Sequence, residues 1–307
     1  EQDPVKFFLF EDERQENTFL IDEIEKARAE GIPLSQIAVL FRTNVQPRLL
    51  MEQMLSRNMA FRTKDRIPNV YEHWIAKDFF AYIRIAQGSD KRADFLSIMN
   101  KPKRYIGRDS LCEPHVAFDE WIRMYDEQPW IAERIEQLWH DTRVLNTLSP
   151  YAAINFIRRG IGYDDYLAEY AEYRNANKED FYEVADEILA SAKGYRTFEE
   201  WFAHIEEYRQ ELKRLAQEKR RNQNAVTFAT LHSAKGLEFT KVYLIDVNEG
   251  VMPYKKAVLK QDVEEERRLF YVGMTRAKES LTICSVKKMR GKEVELSRFI
   301  KEVGKEP

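Results

Sequence analysis

The sequence predicts an α/β fold, a parallel-sheet domain with an all-helical domain inserted into one of its loops. Three observations predict it. Strand-length apolar runs alternate with amphipathic helical stripes near the start of the chain, the same alternation returns near its end, and the long stretch between them has helical periodicity with almost no strand-like run. Alternating strand and helix is the pattern of a parallel sheet, whose crossover helices cover its faces.

Taken in order, residues 5–10 are a β-prone apolar run, and Phe19, Leu20, Ile24 and Ala27 then repeat at helical spacing up to Gly31, a helix stop. Residues 37–41 form a second strand-length run, followed by Leu49, Leu50, Met54 and Leu55 on one helix face. From about Trp74 to about Arg221 the periodicity is helical, with Trp, Tyr and Phe interleaved. Strand-like runs return at 225–231, 242–247 and 281–285, with a charged helix over 262–277 between the last two. The sheet domain is assigned residues 1–90 and 225–307, and the inserted helical domain 91–224.

Composition narrows the function classes. With 44% hydrophobic and 33% charged residues the chain is a folded, water-soluble protein with long solvated helices rather than a disordered one. No apolar run approaches the roughly 20 residues of a spanning helix, and the start of the chain is acidic rather than a basic-then-apolar export signal, so no membrane role and a cytoplasmic location are expected. The two cysteines, Cys112 and Cys284, are far apart and give no disulfide framework; Cys112 with His115 is half a zinc ligand set without a second half, so no metal site is expected. The net charge of -3 does not advertise nucleic acid, so any such contact must come from local clusters such as Lys101, Lys103, Arg104 and Arg108, residues 213–221, or residues 287–292. Each of these alone reads as a solvated face.

Two segments carry chemistry. The first, Thr230-Leu231-His232-Ser233-Ala234-Lys235-Gly236-Leu237-Glu238-Phe239, follows a strand-like run. Gly236 permits a close backbone approach to phosphate or ribose, Glu238 offers an acceptor for a ribose hydroxyl, and Thr230 and His232 offer neutral donors to a phosphate backbone. Residue by residue, a capped helix N-terminus explains the same composition. The second segment runs from Glu264 through Glu266, Arg267, Gly273, Met274 and Thr275 to Arg276 and Ala277. Glu264 and Arg268 would support a plain exposed helix, whereas Arg276, behind a glycine and a threonine, is placed as an arginine finger for a neighbour's γ-phosphate.

These two segments resemble motifs V and VI of superfamily 1A DNA helicases of the UvrD/PcrA/Rep type, and the stretch 39–48, Val-Leu-Phe-Arg-Thr-Asn-Val-Gln-Pro-Arg, resembles a further motif of that family. The resemblance covers essentially the whole chain and implies a second RecA-like motor domain (2A) carrying an inserted helical domain (2B). It implies that Arg276 contacts the γ-phosphate, that Gly236 and Glu238 lie at the ribose side, that Thr230 and His232 touch single-stranded DNA, and that Arg42 serves DNA or interdomain contact. In the insertion, Lys103-Arg104-Tyr105-Ile106-Gly107 is similar to the family's glycine-isoleucine-glycine loop, which implies duplex contact by Lys103, Arg104 and Gly107, with Tyr105 in place of the first glycine. Residues 287–291 lack the base-stacking aromatic that relatives often carry.

A P-loop needs glycine, four residues, then glycine-lysine-serine or threonine, and no two glycines of this sequence have that spacing. Asp246, at the end of an apolar run, is read as an ordinary strand end rather than a magnesium ligand. ATP with Mg²⁺ is therefore expected to sit mainly on a P-loop domain preceding Glu1, in the N-terminal half of the same helicase. The fragment alone is expected not to hydrolyse ATP. Single-stranded DNA, a junction of single- and double-stranded DNA, and repair or replication proteins are the expected partners, and 3′ to 5′ movement is expected by resemblance. The rival readings are a non-catalytic DNA- or protein-binding module on the same fold and part of an AddA/RecB-like helicase-nuclease subunit.

Overall fold

The computed structural model describes residues 5–65, 69–218 and 224–303. In chain order the elements are β1 (Val5–Asp12), α1 (Glu13–Ala29), β2 (Ile37–Phe41), α2 (Arg48–Ser56), β3 (Phe61–Thr63), α3 (Trp74–Ala86), α4 (Arg92–Ile98), α5 (Phe118–Arg123), α6 (Pro129–Leu145), α7 (Pro150–Asn155), α8 (Tyr163–Tyr173), α9 (Lys178–Ser191), α10 (Phe198–Glu218), β4 (Val226–Thr230), β5 (Phe239–Leu244), α11 (Lys260–Met274), β6 (Ala277–Met289), β7 (Lys292–Glu293) and α12 (Arg298–Glu302). The chain divides into two compact units, Glu1–Pro68 with Tyr208–Pro307, and Asn69–Glu207.

The first unit is a RecA-like sheet in the order β1-β6-β5-β2-β4-β3, parallel throughout, with β7 antiparallel on the end of β6. The central β2 shows why. Its five residues are all buried, and the period-two alternation of a strand divides them between two cores. Ile37, Val39 and Phe41 join Leu20, Ile21 and Ile24 of α1 and Leu50, Met51 and Met54 of α2, whereas Ala38 and Leu40 join Phe270 of α11 and Phe299 and Ile300 of α12. Helices on both faces are what a parallel sheet requires. Helix α1 starts where the Asp12 carboxylate accepts the Gln15 amide at 3.0 Å, and carries Lys26 and Arg28 in its last turn, matching charge to the helix dipole at both ends.

The second unit is helical. Residues 69–90, assigned to the sheet domain from the sequence, pack within it. Helix α3 buries Ile75, Phe79, Tyr82 and Ile83 together with Ala76, Phe80 and Ala81, so nearly its whole circumference needs cover, and α4, α6 and α9 supply it. Its buried Asp78 carboxylate takes the Lys101 ammonium at 2.8 Å and the Tyr163 hydroxyl at 2.6 Å, which pins three parts of the unit to one charge. No helix among the described residues is long and apolar enough to cross a membrane.

Candidate functional site

The parallel register sorts the candidate residues between the two edges of the sheet. Thr230 pairs with Phe41 at the carboxyl ends of β4 and β2, which places Thr230 and the following Arg42 on the same edge. Phe239 pairs with Ala277 at the amino ends of β5 and β6, which places Glu238 and Arg276 on the opposite edge. Residues 231–238 connect β4 to β5 and so pass from one edge to the other beside β2. Parallel strands are usually joined by a dozen residues or more with a helix. Here the connection is a run of turns, not the start of a helix.

Side chains far away in sequence fix this connection. The Asp65 carboxylate accepts the Thr230 amide at 2.7 Å and the Ser233 hydroxyl, while the Thr230 hydroxyl accepts the Ser233 amide at 3.2 Å. Thr230 is buried, so its hydroxyl shapes the turn, and His232 is the exposed group at this edge. Leu231 and Ala234 anchor the turns in the core beneath α11. Gly273 lets the helix approach that closely, because a Cβ there would lie 2.4 Å from the Leu231 side chain and 3.3 Å from Leu244. Gly236 has φ +82°, a left-handed conformation open to glycine, with free space around its α-carbon.

At the other edge Arg276 is held by its own surroundings. Its Nε donates to the Val272 carbonyl at 2.8 Å, Nη1 to the Leu237 carbonyl at 3.0 Å and Nη2 to the Thr275 hydroxyl at 2.9 Å, and the Phe239 amide donates to the Arg276 carbonyl at 2.9 Å. The guanidinium therefore touches the end of the 231–238 connection directly. Glu238, next to Leu237, is exposed and lies 3.3 Å from the Lys278 ammonium. Gly236, Glu238 and Arg276 thus form one cluster.

Arg42 belongs to the first edge and is not a free cation. Its Nε lies 3.0 and 3.2 Å from the two Glu266 oxygens and its Nη2 donates at 2.8 Å, a fork closing on a mostly buried carboxylate. Glu266 also accepts the Tyr254 amide at 3.1 Å, and the Tyr254 ring lies 5.1 Å from the Arg42 guanidinium. This ties the loop after β2 to α11.

Asp246 follows β5 with φ +53° and is buried against Glu16, whose carboxylate accepts the Asp246 amide at 3.1 Å; Gln46 donates to the Asp246 carboxylate at 3.1 Å. Among the described residues no group of three or more His, Cys, Asp or Glu is arranged to hold a metal. Burial pushes the Asp246 carboxyl up to about 6, and burial and then the Asp246 charge raise Glu16 well above the usual carboxylate range. A carboxyl raised on folding stabilises the fold below its unfolded value near 4 and loses that contribution as pH rises through about 6. Asp246→Asn, which keeps a side chain tolerant of the left-handed backbone, is expected to add about 1–2 kcal/mol at pH 7.5, the gain shrinking toward pH 5. Urea unfolding at the two pH values measures it, and an equal gain at both would count against a charged pair.

In the helical unit, Lys103 is exposed and 2.9 Å from Glu169, and Gly107 is exposed. Arg104 is buried instead. Its guanidinium donates to the carbonyls of Ile98, Met99 and Pro102 and to the Tyr82 hydroxyl, so it organises the loop from inside rather than presenting a charge to DNA. Tyr105 has φ +56°, the conformation a glycine would take there. The basic run 213–221 lies partly outside the described residues. Cys112 is exposed and Cys284 buried, and His115 pairs with Asp90 at 2.9 Å rather than with Cys112.

The profile of the UvrD-like helicase C-terminal domain matches residues 1–128 and 124–288. The ATP-dependent DNA helicase PcrA of Bacillus subtilis is 28% identical over 92% of this chain and 41% of its own length, and the PcrA of Staphylococcus epidermidis is 29% identical over 98% and 44%. The DNA helicase II of Haemophilus influenzae is 28% identical over 99% of this chain and 45% of its own length. The chain thus spans less than half the length of the curated relatives it matches. With three motifs in order on a parallel sheet and a helical unit between them, the chain belongs to the UvrD-like helicase C-terminal domain family.

Proposed function

We propose that this chain is the 2A motor lobe, with its inserted 2B domain, of a cytoplasmic ATP-dependent 3′ to 5′ DNA helicase that serves repair or replication. The observation that carries the reading is the Arg276–Leu237 hydrogen bond, because it joins the candidate phosphate sensor to the segment that also holds the candidate DNA contacts. ATP with Mg²⁺ sits mainly on a P-loop lobe elsewhere in the complete protein, since the P-loop spacing does not occur in this sequence.

Arg276 turns its fork from the Leu237 carbonyl to the γ-phosphate, where fixed positive charge stabilises the charge that develops on the transferred group. Glu238 and Gly236 close on the ribose. The released 231–238 connection then shifts His232 and the Thr230 turn along a single strand, and hydrolysis restores the bond to Leu237. Lys103 and Gly107 meet the duplex side of a junction between single- and double-stranded DNA. Arg42, held by Glu266, keeps the lobe's DNA edge in register with α11.

ATP turnover with single-stranded DNA tests this on the chain alone and on the complete protein that contains it. The complete protein turns over and the chain alone does not. An inert complete protein would replace the motor reading by that of a DNA- or protein-binding module.

A further inference from the structure

On the helical unit, Trp130 and Arg134 lie one turn apart on α6, and Tyr105 stands beside them on the loop after α4. The Arg134 guanidinium lies 4.8 Å from the Trp130 ring centre and 5.3 Å from that of Tyr105, between two aromatic side chains that remain 48% and 67% exposed. We infer that Tyr105, Arg134 and Trp130 form a stacking platform for an unpaired nucleobase beside the duplex end of a junction. The inference rests on the DNA-motor reading and adds a base-stacking site to it.

Four features favour a nucleic acid strand. Arg134 spends one Nη1 bond on the Arg104 carbonyl at 2.9 Å and has no carboxylate partner among the described residues, so the patch carries an uncompensated positive charge. Two π-faces with a cation between them match alternating bases and phosphates, since every base has a face to stack and every linkage a negative charge. Exposed Lys103 and Arg108 lie within three residues of Tyr105, and the exposed Lys103–Glu169 pair is weak enough in water for a phosphate to displace the glutamate. Finally, the loop is rigid and costly. Buried Arg104 ties it to three carbonyls, and Tyr105 adopts a left-handed backbone that a tyrosine adopts rarely, for a ring that buries little.

The test uses a duplex with a single-stranded tail and 2-aminopurine at the first unpaired position. Wild type and Tyr105→Phe bind it and quench the 2-aminopurine emission, because the ring remains available to stack. Tyr105→Gly removes the ring while easing the backbone, so it keeps the thermal unfolding midpoint, binds about tenfold more weakly and loses the quenching. Tyr105→Gly that binds and quenches like wild type overturns the inference and leaves the motor reading standing. So does a wild type that binds without quenching, which would make the patch a docking point for another protein. A wild type that binds neither this DNA nor oligo-dT overturns the DNA reading and the inference with it.

Discussion

If the proposed motor reading holds, replacing Arg276 by alanine is expected to lower DNA-stimulated ATP turnover of the complete protein at least a thousandfold, with little change in KM for ATP. A guanidinium that meets the transferred phosphoryl group stabilises charge present mainly in the transition state, and such residues contribute about 10³–10⁵ in rate. Arg276→Lys is expected to recover little of that. An ammonium is a compact point charge and cannot stay anchored on the Val272 carbonyl through one nitrogen while a second donor passes from Leu237 to the phosphate. Steady-state turnover of the two variants, with urea unfolding to confirm that the fold survives, decides the matter. A loss below tenfold in a folded Arg276→Ala protein would remove Arg276 from the reaction.

The second large effect concerns stability. Glu266→Ala is expected to cost about 3 kcal/mol, because it strands the mostly covered Arg42 guanidinium without its counter-charge and leaves the Tyr254 amide without its acceptor. The cost lies in the orphaned charge rather than in the pair itself. Changing both partners to apolar residues, Arg42→Met with Glu266→Leu, is therefore expected to restore most of the loss, as removing a whole buried pair often does. Urea unfolding of Arg42→Met, of Glu266→Leu and of the double gives the coupling, and a Glu266→Ala loss under 1 kcal/mol would show that water reaches Arg42.

What the sequence made legible follows from burial. The strand at 37–41 was readable to the residue because every position in it is buried. The strand Phe61–Thr63 was not, since three residues with Arg62 in the middle carry no apolar run. The cluster from Thr230 to Glu238 announced itself because its groups are adjacent. Asp65 and Glu266 did not stand out, because their partners are 165 and 224 positions away and an acidic residue in an acidic chain is unremarked until a fold brings it to a donor. Arg104 misled for the opposite reason. Among Lys101, Lys103 and Arg108 it looked like one more surface charge, and only the carbonyls around it show that the chain wraps inward there.

The connection between β4 and β5 is short and is coiled into hydrogen-bonded turns. Thr230 is level with Phe41, and Phe239 lies two residues before Lys241, which pairs with Ile37. The ends to be joined are thus separated by roughly 20 Å along the strands and about 10 Å across them. Residues 231–238 span this while spending 231–236 on turns. Turns clamped by the bonds of Leu231 to Phe41, Ala234 to Thr230, Leu237 to Ala234 and Asp65 to Thr230 and Ser233 move as one piece instead of unwinding. A displacement at the Leu237 end therefore reaches the Thr230 end while those bonds hold, and in the proposed motor the spacing of the two ends would limit the step to the size of that displacement.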